Sequence, residues 1–237
     1  MPARWWRLRR DGGAGAPAGP LWSWPVRLEG ETPRGLALVL RPLVVEDAPV
    51  FHAVRRANAA WLEPWDATSP EPDAPARSFA ELIGHYDADG RAARAMPLGI
   101  EVDGRLVGQV SFGSIVLGSF RSCFVGYWVS RAVAGQSVVP TALALGGDHL
   151  IRTVDLHRLE VNIRPENMAS LAVVRKLGFR SEGLRPHYLH IDGAWRDHQS
   201  FALTAEDLAG QTLMERLTQS SQQSLPRHTG GGPAPTR

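Results

Sequence analysis

The sequence reads Glu160-Val-Asn-Ile-Arg-Pro-Glu-Asn-Met-Ala-Ser-Leu-Ala-Val-Val-Arg-Lys-Leu-Gly-Phe179 across the segment that decides its fold. The first residues alternate between apolar and polar side chains, which predicts a half-buried strand that ends at Pro165. A helix is predicted next, because Asn167 suits the N-cap position and leucine and valine recur every three residues. Gly178 suits the left-handed cap at its end. The segment therefore predicts a strand that leads directly into a helix.

Two polar side chains, Asn167 and Ser170, lie three residues apart at the start of this helix and therefore face the same way. One interpretation is helix capping, since asparagine is a favoured N-cap residue. The other interpretation is that the pair faces a ligand. The spacing alone leaves both interpretations open.

The order Asn-x-x-Ser followed by Lys-Leu-Gly-Phe179, with Gly126-Tyr-Trp-Val129 upstream, resembles a known superfamily. The chain is similar to the GCN5-related N-acetyltransferases (GNAT), and most similar to the ribosomal-protein N-terminal alanine acetyltransferases of the RimJ/RimL type. The similarity runs from Leu38 to Leu208. This resemblance implies the GNAT fold, an N-acetyltransferase activity and acetyl-CoA as the co-substrate.

The hydrophobic periods along the chain predict an α/β (α+β) fold with the GNAT order of elements. Strands are predicted over Gly35–Leu43, Pro97–Val102, Leu106–Ile115, Phe124–Val129, Arg158–Ile163, Phe179–His190 and Asp197–Leu203. Helices are predicted over Val45–Ala60, Arg77–Asp87, Val138–Val154 and Asn167–Leu177. Asp103-Gly104 predicts a tight hairpin, because both central positions of such a turn need a positive φ. We expect a mixed, twisted central sheet of about seven strands with helices on both faces.

Length and composition fit one domain with loose ends. We expect a tail and linker over residues 1–34, the acetyltransferase domain over 35–210 and a disordered tail over 211–237. The single cysteine, Cys123, excludes an internal disulfide and favours a reducing, cytoplasmic compartment. Its apolar neighbours predict a strand residue rather than a nucleophile.

The formal net charge is only +2, and no basic tract predicts nucleic-acid binding. No apolar stretch reaches the roughly 20 residues that predict a membrane span. His187, His190 and His198 lie on predicted strands without cysteine partners, so we interpret them as surface or substrate-side residues and expect no metal. We expect a monomer or a homodimer.

In the resembling family, a loop with the pattern Gln/Arg-x-x-Gly-x-Gly/Ala cradles the cofactor pyrophosphate. The aligned residues are Ala134-Gly-Gln-Ser-Val-Val139, so three positions depart from the pattern. Backbone N–H groups at a helix start make this contact, so we expect Ser137 to donate its N–H, provided that its φ is negative. Arg131, Arg175 and Lys176 are the nearest cations for the phosphates. The cofactor-binding set implied by the resemblance is Trp128, Val129, Gly135, Gln136, Ser137, Val138, Val139, Asn167, Ser170 and Arg175.

The resemblance also implies that two central strands separate to admit the cofactor arm, with a backbone N–H near Val129 bonding the thioester carbonyl. Ser170 would protonate the leaving thiolate, and Asn167 would orient the cofactor arm. As the base that deprotonates the amine we expect Glu101 first, near a strand end, and Glu63 second. The expected substrate-binding residues are Trp61, Trp65 and Tyr188.

The attacking amine must be neutral. An N-terminal amine has a pKa of about 8 and a lysine amine one of about 10.4, so a weak base suffices for the former. We expect direct acetyl transfer to a protein or peptide N-terminus. A small amine such as an antibiotic, polyamine or amino acid is the first alternative, favoured by a deep acidic pocket. A non-catalytic CoA-binding or interaction module is the second.

Overall fold

A single sheet of eight strands lies at the centre of the residues that the computed structural model describes, 22–71 and 77–223. The strands are β1 (Leu28–Glu31), β2 (Ala37–Arg41), β3 (Met96–Val102), β4 (Arg105–Val116), β5 (Ser122–Val129), β6 (Arg158–Ile163), β7 (Arg180–Ile191) and β8 (Ala194–Thr204). Their order is β1-β2-β3-β4-β5-β6-β8-β7. Neighbouring strands are antiparallel except β5 and β6, which are parallel. The predicted mixed sheet is confirmed, with one strand more than expected.

Helices cover both faces of this sheet, as predicted. In the described residues they are α1 (Ala48–Ala57), α2 (Ala59–Leu62), α3 (Phe79–Arg91), α4 (Val138–Arg152), α5 (Met168–Lys176) and α6 (Leu213–Gln223). Residues three apart in a strand point to opposite faces. On β4, Phe112 packs against α4, while Gln109 Nε2 donates to the Tyr86 hydroxyl of α3 at 3.0 Å. We call the two sides the α4 face, which also carries α5 and α6, and the α1 face, which also carries α2 and α3.

Two adjacent glycines bring α4 close to the middle of the sheet. A Cβ at Gly146 would overlap the ring of Phe112, and a Cβ at Gly147 would lie 2.8 Å from Leu159 of β6. Glycine costs a helix interior about 1 kcal/mol relative to alanine. The close approach gives this cost a structural reason, because it lets α4 pack directly on β4 and β6.

The two ends of the described chain correct the predicted tails. β1 lies within the tail and linker predicted over 1–34, and α6 lies within the disordered tail predicted over 211–237. Leu213 and Leu217 of α6 are buried, and the Leu213 N–H donates to Asp148 of α4 at 2.7 Å. The glutamine- and serine-rich composition of this segment did not predict a helix, because its buried face consists of just two leucines. Residues 1–21 and 224–237 lie outside the described residues.

β5 and β6 pair over three residues each, Ser122–Phe124 with Arg158–Glu160. Beyond this pairing β5 continues to Val129 and β6 to Ile163. Strands keep a spacing of about 4.8 Å only where they are hydrogen-bonded. The two strands therefore separate and leave a gap in the middle of the sheet, as the resemblance implies.

Cys123 is buried near the start of β5, and burial raises the pKa of its thiol. This position confirms the prediction of a strand residue. Across the described parts of the chain, none of the helices is long and apolar enough to cross a membrane.

Candidate active site

A cleft of about 960 Å³ opens at the gap between β5 and β6, and residues from both sides of the sheet line it. Ten residues singled out from the sequence line it: Trp61, Trp65, Trp128, Val129, Gly135, Ser137, Val138, Val139, Asn167 and Ser170. They come from four separate segments of the chain. The fold thus gathers most of the predicted site into one place.

The loop before α4 forms the end of the cleft on the α4 face. Gly135 and Ser137 have φ values of 75° and 64°, so the negative φ on which the expected contact of the Ser137 N–H depended is not found. Because α4 begins at Val138, the N–H groups of Val138 and Val139 have no hydrogen-bond acceptor within the helix. Left-handed residues beside a helix start turn successive N–H groups towards a common point, which suits an anion. The loop keeps this shape despite its departures from the family pattern.

Lys176 supplies the positive charge at this end of the cleft. Its Nζ donates to Ser137 Oγ at 2.8 Å, and its side chain lines the cleft. Burial and the charge of Arg34 lower the pKa of Lys176. Arg175, which the sequence favoured, is exposed and is not part of the lining. Of the three cations named from the sequence, Lys176 therefore lines the cleft, while Arg131 and Arg175 do not.

Val129 ends β5 with its backbone turned into the gap. The Ser130 N–H donates to Val107 O on β4 at 2.7 Å. Successive N–H groups alternate between the two edges of a strand, so the Val129 N–H points to the other edge, where β6 is no longer paired. This is the orientation that a contact to a thioester carbonyl in the gap requires.

Ser170 and Tyr127 bring two hydroxyl groups to the gap. Asn167 caps α5 by accepting from the backbone N–H of Ser170 at 3.0 Å, which leaves the Ser170 hydroxyl outside the cap. The Tyr127 hydroxyl is buried without a well-formed hydrogen bond to any described residue. Burial raises the pKa of Tyr127 to about 12, and the Ser170 hydroxyl acts in the opposite direction. The capping interpretation therefore holds for Asn167 and leaves Ser170 available for chemistry.

Aromatic side chains dominate the wall on the α1 face. Trp61 Nε1 donates to Val129 O at 3.2 Å, which fixes the indole at the edge of the gap. The guanidinium of Arg164 lies 5.3 Å from the ring centre of Trp65 and donates to Pro64 O at 2.8 Å. These contacts hold both tryptophans in place as a rigid surface.

Two carboxylates, Asp66 and Glu166, line the same cleft, and each has an arginine partner. Asp66 forms an ion pair with Arg55, and Glu166 forms one with Arg164 at 3.3 Å. Among the described residues that line the cleft, no carboxylate is left without a positive partner. The wall is therefore apolar and nearly neutral.

A smaller chamber of about 200 Å³ adjoins the cleft, and we call it the inner chamber. Trp65, Tyr127, Asn167 and Ser170 line both spaces. The inner chamber is also lined by His198 of β8, which is only 3% exposed. A titratable ring thus lies close to the two hydroxyl groups.

The two glutamates predicted as bases lie elsewhere. Glu101 forms an ion pair with Arg41 at 2.7 Å, and Arg41 also binds Asp47 at 2.8 Å. Glu63 is an exposed residue of a short turn of 3₁₀ helix. Neither lines the cleft or the inner chamber. The base assignment of Glu101 and Glu63 is corrected for this reason.

Gln136 and Tyr188 also lie outside the lining of both spaces. Gln136 Nε2 donates to Ala132 O at 2.9 Å and so braces the loop from within. The Tyr188 hydroxyl accepts from Asn162 Nδ2 at 3.3 Å. Tyr188 therefore supports the sheet next to the site and does not form the predicted wall.

Sequence reasoning gave no role to Tyr127, and it treated His198 as a surface or substrate-side residue. Tyr127 belongs to the Gly126-Tyr-Trp-Val129 motif, so its motif was a signal. The surface interpretation is wrong for His198, which is 3% exposed, and the pairing of β6 with β8 brings it to the gap. In the part of the chain that the structure describes, no group of three His, Cys, Asp or Glu side chains is arranged to hold a metal ion.

Comparisons with known proteins agree with this geometry. The acetyltransferase (GNAT) domain family matches residues 37–180. The [ribosomal protein uS5]-alanine N-acetyltransferase of Escherichia coli (strain K12) is 30% identical over 172 residues, which cover 72% of this chain and 89% of the relative. The structure of Mycobacterium smegmatis RimJ in complex with CoA-disulfide matches with a TM-score of 0.76 at 36% identity, covering 84% of this chain and 96% of the other. The spermidine N(1)-acetyltransferase of Escherichia coli (strain K12) is 27% identical over 193 residues, 79% of this chain and 100% of the relative.

The chain belongs to the GNAT acetyltransferase family and is an N-acetyltransferase. The predicted fold, the resemblance to RimJ/RimL enzymes and the choice of acetyl-CoA as co-substrate are confirmed. The residues present fit that co-substrate. The loop amides and Lys176 suit its phosphates, and the unpaired edge of β5 at Val129 suits its extended arm.

Proposed function

We propose that the chain acetylates the N-terminal α-amino group of a protein, with an alanine of a ribosomal protein as the substrate class. Two relatives support this choice: the uS5-alanine N-acetyltransferase at 30% identity and RimJ at 36% identity. The spermidine enzyme, at 27% identity, supports the alternative of a small polycation. The wall of the cleft on the α1 face discriminates between them.

The neutral, aromatic character of that wall is the observation that carries the proposal. A polyamine has several positive charges, which require carboxylates that are free to pair with it. Here Asp66 and Glu166 are already paired with Arg55 and Arg164. A peptide N-terminus has one charge and a chain of amide and apolar groups, which suits a tryptophan-lined groove. The wall therefore favours a peptide.

The chemistry follows from four residues of this chain. When bound, acetyl-CoA supplies an acetyl group as a thioester. The Val129 N–H is turned into the gap to stabilise negative charge on the carbonyl oxygen. The Ser170 hydroxyl lies at the gap to give a proton to the departing sulfur. Trp61 and Trp65 hold the acceptor chain while its amine enters the gap.

Thiol release from acetyl-CoA tests the proposal. The acceptors are a peptide with a free N-terminal alanine, the same peptide with a blocked N-terminus, and spermidine. We expect turnover with the free peptide and none with the blocked one, with spermidine at least about tenfold poorer in kcat/KM. Turnover with spermidine and none with the free peptide would assign the small-amine function instead.

A further inference from the structure

We propose that His198 is the base that takes the proton from the acceptor amine, in the inner chamber. The site still lacks an assigned base, because Glu101 and Glu63 line neither the cleft nor the inner chamber. The identity of the amine rests on the proposed function. The role of His198 rests on the geometry of the chamber.

His198 lies on the side of the sheet from which the acceptor enters. β6 pairs with β8 so that Val161 is opposite Phe201, and Asn162 is opposite Ser200. Val161 and Phe201 belong to the main core, which α4 and α5 cover. Residues two apart in a strand share a face, so His198 lies with Ser200 on the α1 face. Ser170, on α5, reaches the same chamber from the α4 face.

The hydrogen bonds of the His198 ring fix which nitrogen carries the proton. Nδ1 lies 3.0 Å from Arg196 O. A carbonyl oxygen only accepts, so Nδ1 carries the hydrogen and donates. In the neutral ring Nε2 then holds a lone pair, and among the described residues the ring's hydrogen bond is the one from Nδ1 to Arg196 O. A buried ring that lines the chamber with a free lone pair can accept a proton from a group bound there.

The surroundings keep this ring neutral. Burial lowers the pKa of His198, and the charge of Arg164 acts in the same direction, while Arg196 O, Glu166 and Asp197 act against them. The facing group on β7 is the ring of Tyr188, which meets His198 edge-on at 5.6 Å. A neutral base is therefore present at neutral pH, and it is lost as the pH falls through the lowered pKa.

One proton passes from the ammonium group of the acceptor to Nε2 of His198. The amine lone pair then forms the N–C bond while the C–S electron pair leaves with sulfur. The second proton of the amine reaches the sulfur through Ser170. The products are an amide, a thiol and one proton, which leaves His198 for solvent.

The dependence of kcat/KM on pH tests the assignment. His198→Asn keeps a donor near the position of Nδ1 and removes Nε2. With the base, the wild-type rate is flat from the pKa of His198 up to the pKa of the amine at about 8. Without it, the rate rises with the neutral fraction of the amine. We expect the variant to be at least about tenfold slower near pH 6.5 and nearly equal to the wild type near pH 9.

His187→Asn is the matched control, because His187 is exposed and lines neither the cleft nor the inner chamber. We expect it to follow the wild-type profile. A deficit of His198→Asn that is the same at every pH would mean a structural role and would overturn the proposal. If the wild type acetylates no peptide, the proposed function fails. The same profiles with spermidine then decide the role of His198 separately.

Discussion

The α4 face and the α1 face of the cleft are built in different ways. On the α4 face, backbone N–H groups of one continuous segment, residues 135–139, form the contact surface together with Lys176. On the α1 face, side chains from distant segments form it, with Trp61 and Trp65 between β2 and β3 and His198 on β8. One surface depends on backbone shape and the other on residue identity.

This difference explains which substitutions each face tolerates. The loop differs from the family pattern at three positions and still presents its N–H groups around a left-handed Ser137. A backbone contact survives such changes because every residue except proline has an N–H. A wall of side chains has no such tolerance. We therefore expect the co-substrate, common to the family, to bind on the tolerant face and the acceptor to bind on the face that depends on residue identity.

Ser170 stands where the two faces meet, so its substitution should have the largest effect. Ser170→Ala removes the hydroxyl and keeps the backbone N–H that Asn167 caps. We expect kcat to fall by about 10²-fold, as for the loss of a positioned proton donor. The free energy of unfolding should change by less than about 1 kcal/mol. Thiol release measures the first quantity and urea unfolding the second.

Calorimetry with acetyl-CoA completes this test. Because Ser170 acts on the reacting atoms, the affinity of the variant for acetyl-CoA should stay within about threefold of the wild type. Full turnover in the variant would leave the residue with the capping role alone. A loss of affinity equal to the loss of turnover would place it in co-substrate binding instead.

The sequence predicted the α4 face better than the α1 face for a physical reason. Strand β6, helix α5 and the loop between them lie in one segment, and their periodicity and capping residues are local signals. The φ of Ser137 could not be predicted, because it depends on how the loop meets α4 and Lys176. Local sequence patterns predict whether a segment forms a helix or a strand, whereas a backbone angle such as the φ of Ser137 depends on tertiary packing.

On the α1 face the information is not local. Glu101 was predicted as the base because it lies near a strand end, but in the structure it forms an ion pair with Arg41. His198 reaches the gap through the register of β6 with β8, which no short stretch encodes. Trp61 and Trp65 were expected to line an acceptor site, and both line the cleft. Their exact partners, such as Val129 O, required the fold.

Substitution of Trp61 should change the binding of the acceptor more than that of the co-substrate. Trp61→Leu removes the indole from the wall and its hydrogen bond to Val129 O. We expect KM for the alanyl peptide to rise about tenfold, which corresponds to about 1.4 kcal/mol of lost contact. KM for acetyl-CoA should change by less than about twofold, since the loop and Lys176 are untouched. Steady-state kinetics with each substrate varied in turn gives both values.

Trp61→Phe is the matched control for this variant. It keeps an aromatic surface and removes only the indole N–H, so its KM for the peptide should lie between the wild type and Trp61→Leu. The contrast between the two faces would not hold if both variants weakened the binding of acetyl-CoA more than the binding of the peptide. In that case the Trp61 to Val129 contact serves mainly to hold the strand edge for the co-substrate.

Ser137 gives the smallest expected effect and tests the tolerance of the α4 face directly. Ser137→Gly relieves a left-handed φ, which costs an ordinary residue about 1 kcal/mol. It also loses the hydrogen bond from Lys176, worth about 1 kcal/mol. It leaves the backbone shape that presents the N–H groups unchanged. Affinity for acetyl-CoA should therefore move by less than about fivefold, or 1 kcal/mol.

Ser137→Ala separates the two contributions, because it removes the hydroxyl and keeps the Cβ at the same positive φ. We expect it to be less stable than Ser137→Gly by about 1 kcal/mol in urea unfolding, since only glycine is relieved of strain. Calorimetry should give both variants nearly the same affinity for acetyl-CoA. If both bind tenfold or more tightly, the Ser137 hydroxyl obstructs the phosphate site. The loop would then depend on residue identity, and the contrast between the two faces would not hold.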